Sequence, residues 1–188
     1  MLSVGVLATL VRAVWALFEG LRLLGDPKPA ANDDSDKYSA RVWDVAIGIE
    51  VVGIAGGLIG FGQMQTGSNR LAYFGLVTMI IGIAIRWSAI YTLGRYFHGR
   101  VTIQPGHQLV REGLYKYVRH PAYTGSLIAH LGLGLAFANW LSLALCVIPF
   151  VIAVWYRMHV EDEALRKAFG VAYVDYSRHT KRLIPKLY

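Results

Sequence analysis

The sequence has few cysteines and few charged residues, the groups on which secreted and soluble proteins depend. Cys146 is the single cysteine among 188 residues, so no intrachain disulfide can form. It lies in an apolar run, which favours a packing role over a reactive thiolate. Only 16% of the residues are charged, 55% are hydrophobic, and the mean hydropathy is positive. This balance is typical of a membrane protein, and the length suits one domain.

Acidic residues are also scarce, with 12 Asp and Glu against 19 Lys and Arg, which gives a net charge of +7. Such an excess can indicate nucleic-acid binding, but that function needs a basic face on a soluble fold. Here the basic residues lie between apolar runs. They are expected to set the orientation in the membrane and to contact anionic lipid head groups, and no nucleic-acid partner is predicted.

Long apolar stretches predict an all-α, polytopic helix bundle formed by a single integral membrane domain, residues 1–188. A stretch from about residue 122 to 156 is too long for one crossing, and a tight turn at Asn139-Trp140 would divide it. The first stretch carries Arg12, Glu19 and Arg22 and has no cleavage site, so it is interpreted as a helix and not a signal peptide. Five transmembrane helices are therefore expected, at residues 2–24, 42–61, 71–93, 122–138 and 140–158.

Basic residues predict the orientation of this five-helix bundle. One side would carry sixteen of them, and the other would carry Arg70 alone. Arg12 and Arg86 fall within helices, where Arg12 is expected to pair with Glu19 or Glu50. By the positive-inside rule the N-terminus lies outside and the C-terminus in the cytoplasm, in a bacterial inner membrane or the endoplasmic reticulum.

Glycines in the second helix are expected to allow close helix contacts, not to bind phosphate. They are Gly53, Gly56, Gly57 and Gly60. No G-x-G-x-x-G pattern follows a strand, so a Rossmann domain is not predicted. Residues 25–41 are rich in Pro, Asp, Asn and Ser, which predicts a flexible loop.

Chemistry-bearing residues concentrate in two cytoplasmic segments, 94–121 and 157–188. The first contains His107-Gln-Leu-Val-Arg-Glu-Gly-Leu-Tyr-Lys-Tyr-Val-Arg-His-Pro-Ala-Tyr-Thr-Gly125. The second contains Arg157-Met-His-Val-Glu-Asp, then Ala168-Phe-Gly with Tyr173 and Tyr176, and the closing Arg182-Leu-Ile-Pro185. Arg157 and Glu161 are four residues apart, which places them on one face of a continuing helix.

These motifs resemble the isoprenylcysteine carboxyl methyltransferase family, in the form of its small prokaryotic members. The resemblance covers about Thr92 to Pro185 and rests on HxLVxxGxYxxxRHPxYxG, RxxxED, AFGxxYxxY and RLIP. It implies a membrane methyltransferase that uses S-adenosyl-L-methionine and acts on a lipophilic or lipidated acceptor. Five spans agree with the small members.

The resemblance also implies residue roles. Cofactor binding would involve His107, Gln108, Leu109, Val110, Tyr115, His120, Pro121, Ala122, Tyr123 and Glu161, where Glu161 would bind the amino group. Arg157 would face the acceptor carboxylate, and a further polar cofactor contact would fall on Arg100. No metal is implied.

The chemistry of the donor agrees with these residue types. Its sulfonium, ammonium, carboxylate and adenine call for an anion, hydrogen-bond donors and aromatic faces, which Glu161, His120, Tyr115 and Tyr123 provide. Methyl transfer to an ionised carboxylate needs alignment and exclusion of water, but no protein nucleophile. A guanidinium such as Arg157 can orient that carboxylate.

Other interpretations compete with these. An amine acceptor would first have to lose a proton, which His107 or His120 could assist. A nicotinamide-dependent membrane reductase and a non-enzymatic membrane scaffold are the remaining alternatives. Asp162 and Glu163 are interpreted as structural, Tyr173 and Tyr176 as packing or interface residues, and His130 as either functional or hydrogen-bonded within the bundle.

Overall fold

The computed structural model describes residues 2–25, 34–65, 69–101, 103 and 106–188 of the chain. These residues form six α-helices and two short 3-10 turns, and no β-strand occurs among them. The helices are α1 (Val4–Leu23), α2 (Asp34–Ile59), α3 (Arg70–Leu93), α4 (Pro121–Ala136), α5 (Trp140–Phe169) and α6 (Val171–His179). The 3-10 turns are Gly94–Tyr96 and Gly113–Lys116. The predicted all-α helix bundle is confirmed.

Two helices extend further than the hydropathy of the sequence predicted. Helix α2 begins at Asp34 rather than at residue 42, and α5 continues to Phe169 rather than ending near residue 158. Helix formation depends on the backbone, so polar helix formers such as Lys and Arg continue a helix past its apolar part. The predicted flexible loop at 25–41 overlaps α2, and residues 26–33 lie outside the described part of the chain.

The long apolar stretch after residue 120 is broken at residues 137–139. Ala138 has a positive φ of 45°, and the Asn139 side-chain oxygen accepts a 2.9 Å hydrogen bond from the Ser142 amide. Asn139 therefore caps the N-terminus of α5. Its side-chain amide also donates to the Phe61 carbonyl, which ties this turn to the end of α2.

Four of the described helices, α1, α2, α3 and α5, are long and apolar enough to cross a membrane. Helix α4 has 16 residues, about 24 Å at 1.5 Å per residue, which is shorter than a hydrocarbon core of about 30 Å. Four of the five expected spans thus correspond to helices of full length, and the fifth, at α4, stays a prediction. The turn at 137–139 shortens α4, because it uses residues that the hydropathy pattern had assigned to the span.

Helices α3 and α4 pack backbone to backbone through four glycines, Gly75 and Gly82 on α3 and Gly125 and Gly132 on α4. A Cβ at Gly132 would meet the Met79 amide, and one at Gly82 would meet the Ala129 amide. Small residues let helices approach this closely in membranes. The sequence analysis had singled out the glycines of α2 instead. Of those, Gly53 and Gly57 do lie against α5 and the turn before it, facing Leu145 and Phe137.

Two ion pairs cross the interior of the bundle. Arg12 of α1 donates two hydrogen bonds, of 2.7 and 2.9 Å, to the carboxylate of Glu50 of α2. Arg86 of α3 donates to Glu19 of α1 at 2.7 and 3.2 Å and to the Ser126 hydroxyl of α4 at 3.0 Å. Of the two partners expected for Arg12, the structure therefore shows Glu50. Paired, hydrogen-bonded charges are the form in which ionisable residues persist inside a membrane bundle.

Candidate active site

A continuous cavity of about 660 Å³ connects the interior of the bundle with residues 96–101, 103 and 107–110, at the end where α1 and α3 finish. We call this end of the molecule the loop end. The cavity wall includes side chains from α1, α2, α3, α4 and α5 and from the connection between α3 and α4. Its volume lies in the range of small-molecule and cofactor sites.

Most of the residues that sequence reasoning proposed for the site lie together on this wall. They are His107, Gln108, Leu109, Val110, Tyr115, His120, Ala122, Tyr123, Arg157 and Glu161, together with Arg100. Pro121 is the exception: it is buried at the first turn of α4 and does not line the cavity. Its fixed φ favours a helix start, so its contribution is to begin α4 immediately after His120.

Tyr123 joins the two predicted functional residues of α5. Its hydroxyl donates a 2.7 Å hydrogen bond to Glu161 Oε2 and accepts a 3.1 Å hydrogen bond from Arg157 Nε. Arg157 and Glu161 do lie on one face of α5, as their spacing predicted. Glu161 Oε1 faces His120 Nδ1 at 3.9 Å, a distance beyond a direct hydrogen bond.

Arg157 is held by the protein on several sides. Besides Tyr123, its guanidinium donates to the Gly99 carbonyl and, through Nη1, to the Ser39 hydroxyl at 3.5 Å. Only 6% of the residue is exposed. The guanidinium is therefore fixed in the cavity wall between α2, α4 and the connection after α3.

Asp162 anchors the loop end behind the cavity. Its Oδ1 lies 2.8 Å from His120 Nε2 and also accepts from the Tyr173 hydroxyl, while Oδ2 accepts a 3.0 Å hydrogen bond from Arg182. Because an ionised carboxylate only accepts, Nε2 of His120 carries the proton in this contact. In a neutral imidazole, Nδ1 then presents a lone pair to the cavity.

The C-terminal tail is docked against the start of α4. The backbone amides of Arg119 and His120 donate to the carbonyls of Lys181 and Arg182 at 2.7 and 3.0 Å, and the Thr124 hydroxyl donates to Leu183 at 2.9 Å. The closing RLIP motif thus holds the backbone of the RHP motif. This explains physically why two segments separated by about sixty residues belong to one signature.

His107 stacks on Tyr96 with ring centroids 4.6 Å apart, and both line the cavity. Its Nδ1 is buried and has no hydrogen-bond partner among the described residues. Burial lowers the pKa of His107, nearby His98 lowers it further, and Glu161 opposes both effects. At neutral pH the ring is therefore uncharged and offers one donor and one acceptor.

Two buried tyrosines stiffen the wall rather than act as bases. The Tyr176 hydroxyl donates a 2.6 Å hydrogen bond to the Tyr115 carbonyl. Burial raises the pKa of Tyr176 to about 12 and the pKa of Tyr115 well above its usual range, so both stay protonated. Tyr173, which donates to Asp162, and Tyr176 therefore pack the tail onto the site, as their spacing suggested.

Sequence reasoning missed the part of the site that the N-terminal half provides. Trp43 of α2 lies with its ring centroid 6.3 Å from that of Tyr123 and 6.0 Å from the Arg157 guanidinium carbon. Trp15, Glu19 and Arg86 also line the cavity. No motif marks these residues, because α1 to α3 carry only hydropathy as a signal. The one hint was the presence of ionisable residues within apolar spans.

The fold and the site together define an integral membrane helix bundle with a cavity at one end that charged, aromatic and aliphatic side chains line. The model of the isoprenylcysteine carboxyl methyltransferase (ICMT) family matches residues 75–167, just under half of the chain. Over this segment, which includes α4 and most of α5, the chain resembles that family.

The sequences of individual proteins show the same similarity. The chain is 35% identical over 121 residues to protein-S-isoprenylcysteine O-methyltransferase B of Arabidopsis thaliana, covering 61% of this chain and 59% of that protein. Mouse protein-S-isoprenylcysteine O-methyltransferase is 29% identical, with 61% and 41% covered. The chain thus spans less than two thirds of the length of these relatives.

A solved structure of the eukaryotic intramembrane Ras methyltransferase ICMT has a similar fold. The TM-score is 0.65 at 24% sequence identity, and the match covers 84% of this chain and 55% of that one. The coverage extends the similarity beyond the matched family segment to the N-terminal helices. At this identity, the comparison supports the membrane helix fold alone.

Proposed function

We propose that this chain is an S-adenosyl-L-methionine-dependent membrane methyltransferase that methylates the carboxylate of a lipophilic acceptor. The observation that carries the proposal is the contact of Tyr123 with both Glu161 and Arg157 inside one cavity. This contact brings an anion suited to the donor next to a cation suited to a carboxylate. The names of the relatives, protein-S-isoprenylcysteine O-methyltransferases, support the same reaction class.

The residues present fit the donor. Its ammonium group requires an anion, and Glu161 presents Oε1, since only Oε2 is taken by Tyr123. The adenine requires aromatic and polar surroundings, which the stacked rings of Tyr96 and His107 on the cavity wall supply. The uncharged state of His107 also avoids repulsion with a cationic sulfonium.

When bound, the donor supplies an electrophilic methyl group on a positively charged sulfur. The protein positions the two reactants and excludes water from the site. Tyr123 fixes Glu161 relative to Arg157, and the Trp43 ring lies beside Tyr123 and Arg157 on the cavity wall. Alignment of the two reactants and exclusion of water are the effects that accelerate an in-line displacement between a cation and an anion.

Arg157 is proposed to orient the acceptor carboxylate. Its Nε donates to Tyr123, its Nη2 to Gly99 and its Nη1 to Ser39, so the guanidinium is held in one orientation on the cavity wall. A carboxylate at this guanidinium would accept charge-assisted hydrogen bonds, which are shorter and stronger than bonds between neutral groups.

A second candidate is N-methylation of a hydrophobic amine. The dyad of His120 and Asp162 favours it, because a base held by a carboxylate is the arrangement that removes a proton from a nucleophile. In that reaction Nδ1 of His120 would accept the proton of the amine. A carboxylate acceptor needs no such step, since it is already ionised near neutral pH.

The orientation of the protein in the membrane is proposed from the distribution of its basic residues. We place the loop end, with its excess of Lys and Arg, in the cytoplasm and the N-terminus outside, so that acceptor and membrane lipids meet the site at the cytoplasmic leaflet. A protease site added after Tyr188 should be cleaved only in inverted vesicles. Cleavage in intact cells or right-side-out vesicles would contradict this orientation.

Methyl transfer is the direct test. The purified protein in lipid nanodiscs is incubated with methyl-labelled S-adenosylmethionine and either S-farnesylthioacetic acid or a long-chain alkylamine. If the acceptor is a carboxylate, the product is a base-labile methyl ester and the rate is nearly independent of pH from 7 to 9. If the acceptor is an amine, the product is stable to base and the rate rises with pH. Replacement of Arg157 with Leu should reduce ester formation at least about tenfold while leaving donor binding within about twofold. Equal loss of both would contradict the role of Arg157.

A further inference from the structure

Residues 183–188 form a compact turn at the loop end, which we call the tail turn. The backbone amides of Leu183 and Ile184 both donate to the Tyr188 carbonyl at 2.7 Å, which closes the turn. Ile184 is 50% exposed and Leu187 is 78% exposed, and neither side chain lines the cavity. The tail turn therefore presents two aliphatic side chains that the described part of the chain leaves largely uncovered.

The level of the tail turn along the bundle follows from the contact between α3 and α4. These helices run antiparallel, and a Cβ at Gly125 would meet the Arg86 amide. His120, five residues before Gly125, is therefore about level with Tyr91 of α3. The His120 amide donates to the Arg182 carbonyl at 3.0 Å, so the tail turn begins at this same level.

This level is the boundary of the hydrocarbon core. Helix α3 rises about 30 Å from Leu71 to Tyr91 at 1.5 Å per residue, which equals the thickness of the core. The Tyr91 side chain is 89% exposed, and tyrosines are enriched where lipid meets water. The Thr124 hydroxyl, one turn further into the bundle, donates to the Leu183 carbonyl at 2.9 Å. The tail turn therefore lies where head groups and acyl chains meet.

The tail also carries charge of one sign. Residues 177–188 contain no acidic residue and four basic residues, which are Arg178, Lys181, Arg182 and Lys186. Arg182 donates to Asp162, whereas the other three basic residues are exposed. Exposed basic side chains next to exposed apolar ones are the pattern that binds the interface of an anionic membrane. The charge of the tail is thus complementary to an anionic lipid surface.

We propose that the tail turn is an interfacial anchor that inserts its two aliphatic side chains between the lipids of an anionic leaflet. Lys181 and Lys186 contact the lipid phosphates beside it. Because the same segment holds the His120 amide, and Arg182 holds Asp162, the leaflet supports the wall of the cavity from outside. The inference goes beyond the proposed methyl transfer and does not depend on it.

Quenching by a spin-labelled lipid tests the anchor. Leu187→Cys is labelled with a nitrobenzoxadiazole dye in the full chain, in nanodiscs of phosphatidylglycerol with 5-doxyl phosphatidylcholine. Lys167→Cys is the matched control, at an exposed position about 40 Å along α5 from Trp140. Wild-type protein measures background labelling, because Cys146 is buried. Quenching at position 187 should be at least about threefold that at position 167, because the spin label lies within the leaflet.

The lipid charge is the second arm of the test. Quenching at position 187 should fall at least about twofold when phosphatidylcholine replaces phosphatidylglycerol, or when Lys181→Gln and Lys186→Gln are combined, whereas Lys167→Gln should not change it. Ile184→Cys repeats the measurement if thermal unfolding shows that the label at position 187 prevents folding.

Two results overturn the proposal. Quenching at position 187 that is no stronger than at position 167 would show that the tail turn lies outside the leaflet. Strong quenching that does not respond to lipid charge would show that the partner is not an anionic surface. Neither result bears on methyl transfer, since the assay contains no donor.

Discussion

Tyr123 of α4 and Glu161 of α5 are joined by a 2.7 Å hydrogen bond, with the tyrosine hydroxyl as donor. The same hydroxyl accepts from Arg157. One phenol oxygen therefore sets the distance between the carboxylate proposed for the donor and the guanidinium proposed for the acceptor. The effect of the hydroxyl can be separated from the effect of the aromatic ring, because a phenylalanine at this position keeps the ring and removes only the hydroxyl.

Removal of this hydroxyl should affect both ligands. In Tyr123→Phe, Glu161 and Arg157 lose their shared partner, so the affinity for S-adenosylmethionine should fall about fivefold to twentyfold, with a further loss in the rate of methyl transfer. Calorimetry and the labelled-methyl assay measure the two effects. Tyr117→Phe, at an exposed tyrosine of the connection before α4, is the control and should change neither. Unchanged affinity in Tyr123→Phe would show that the hydroxyl does not position Glu161.

Asp162 is predicted to stabilise the loop end rather than to bind the donor. The variant Asp162→Asn removes the charge that holds His120, Tyr173 and Arg182, so the unfolding free energy should fall by roughly 2–3 kcal/mol. Thermal unfolding in detergent measures the loss. Glu163→Gln alters an exposed neighbour whose pair with Lys167 is a surface ion pair, and it should be nearly neutral. Equal stability of the two variants would contradict the anchoring role of Asp162.

The lowered pKa of His107 predicts a dependence of stability on pH. The folded state favours the neutral ring, so its contribution is fully present above the ordinary histidine pKa of 6.5 and is lost as pH falls through the lower pKa of the folded state. The melting temperature should therefore fall more steeply from pH 7 to pH 5 in the wild type than in His107→Gln. Parallel pH profiles for the two proteins would exclude His107 as a source of this dependence.

The glycine contact between α3 and α4 should tolerate no side chain. In Gly132→Ala the new Cβ would meet the Met79 backbone amide, so the helices must separate, and a loss of stability of several kcal/mol is expected. Gly48→Ala, on α2 with no atom within 4 Å of the new Cβ, should be neutral or slightly stabilising. Thermal unfolding of the two variants measures the difference. A folded, equally stable Gly132→Ala protein would contradict the close packing.

The sequence predicted the parts of the fold that depend on hydropathy and turn residues. The apolar runs and the turn at Asn139 indicated where the apolar parts of the helices begin and end. Polar extensions, such as Asp34–Arg41 at the start of α2, escaped this reasoning because helix formation continues where apolar residues stop. Helix α4 (Pro121–Ala136) ends within two residues of the expected span at 122–138, because Asn139 indicated the turn that divides the long apolar stretch.

For the site, the motifs predicted which residues of the C-terminal half line the cavity, with Pro121 as the exception. They could not predict the contributions of Trp43, Glu19 and Arg86, which come from helices without a motif. Nor could spacing reveal that Asp162, and not Glu161, contacts His120 directly. That distinction depends on how α5 is rotated against α4, which only packing determines.

Binding of S-adenosylmethionine to the full chain tests the central claim most directly. Calorimetry should show micromolar affinity for the wild type and for Glu163→Ala, and at least a twentyfold loss for Glu161→Ala, because that variant removes the carboxylate proposed for the ammonium group. Wild-type protein that is folded and shows no binding would contradict the methyltransferase account. Binding that survives unchanged in Glu161→Ala would contradict the site as assigned.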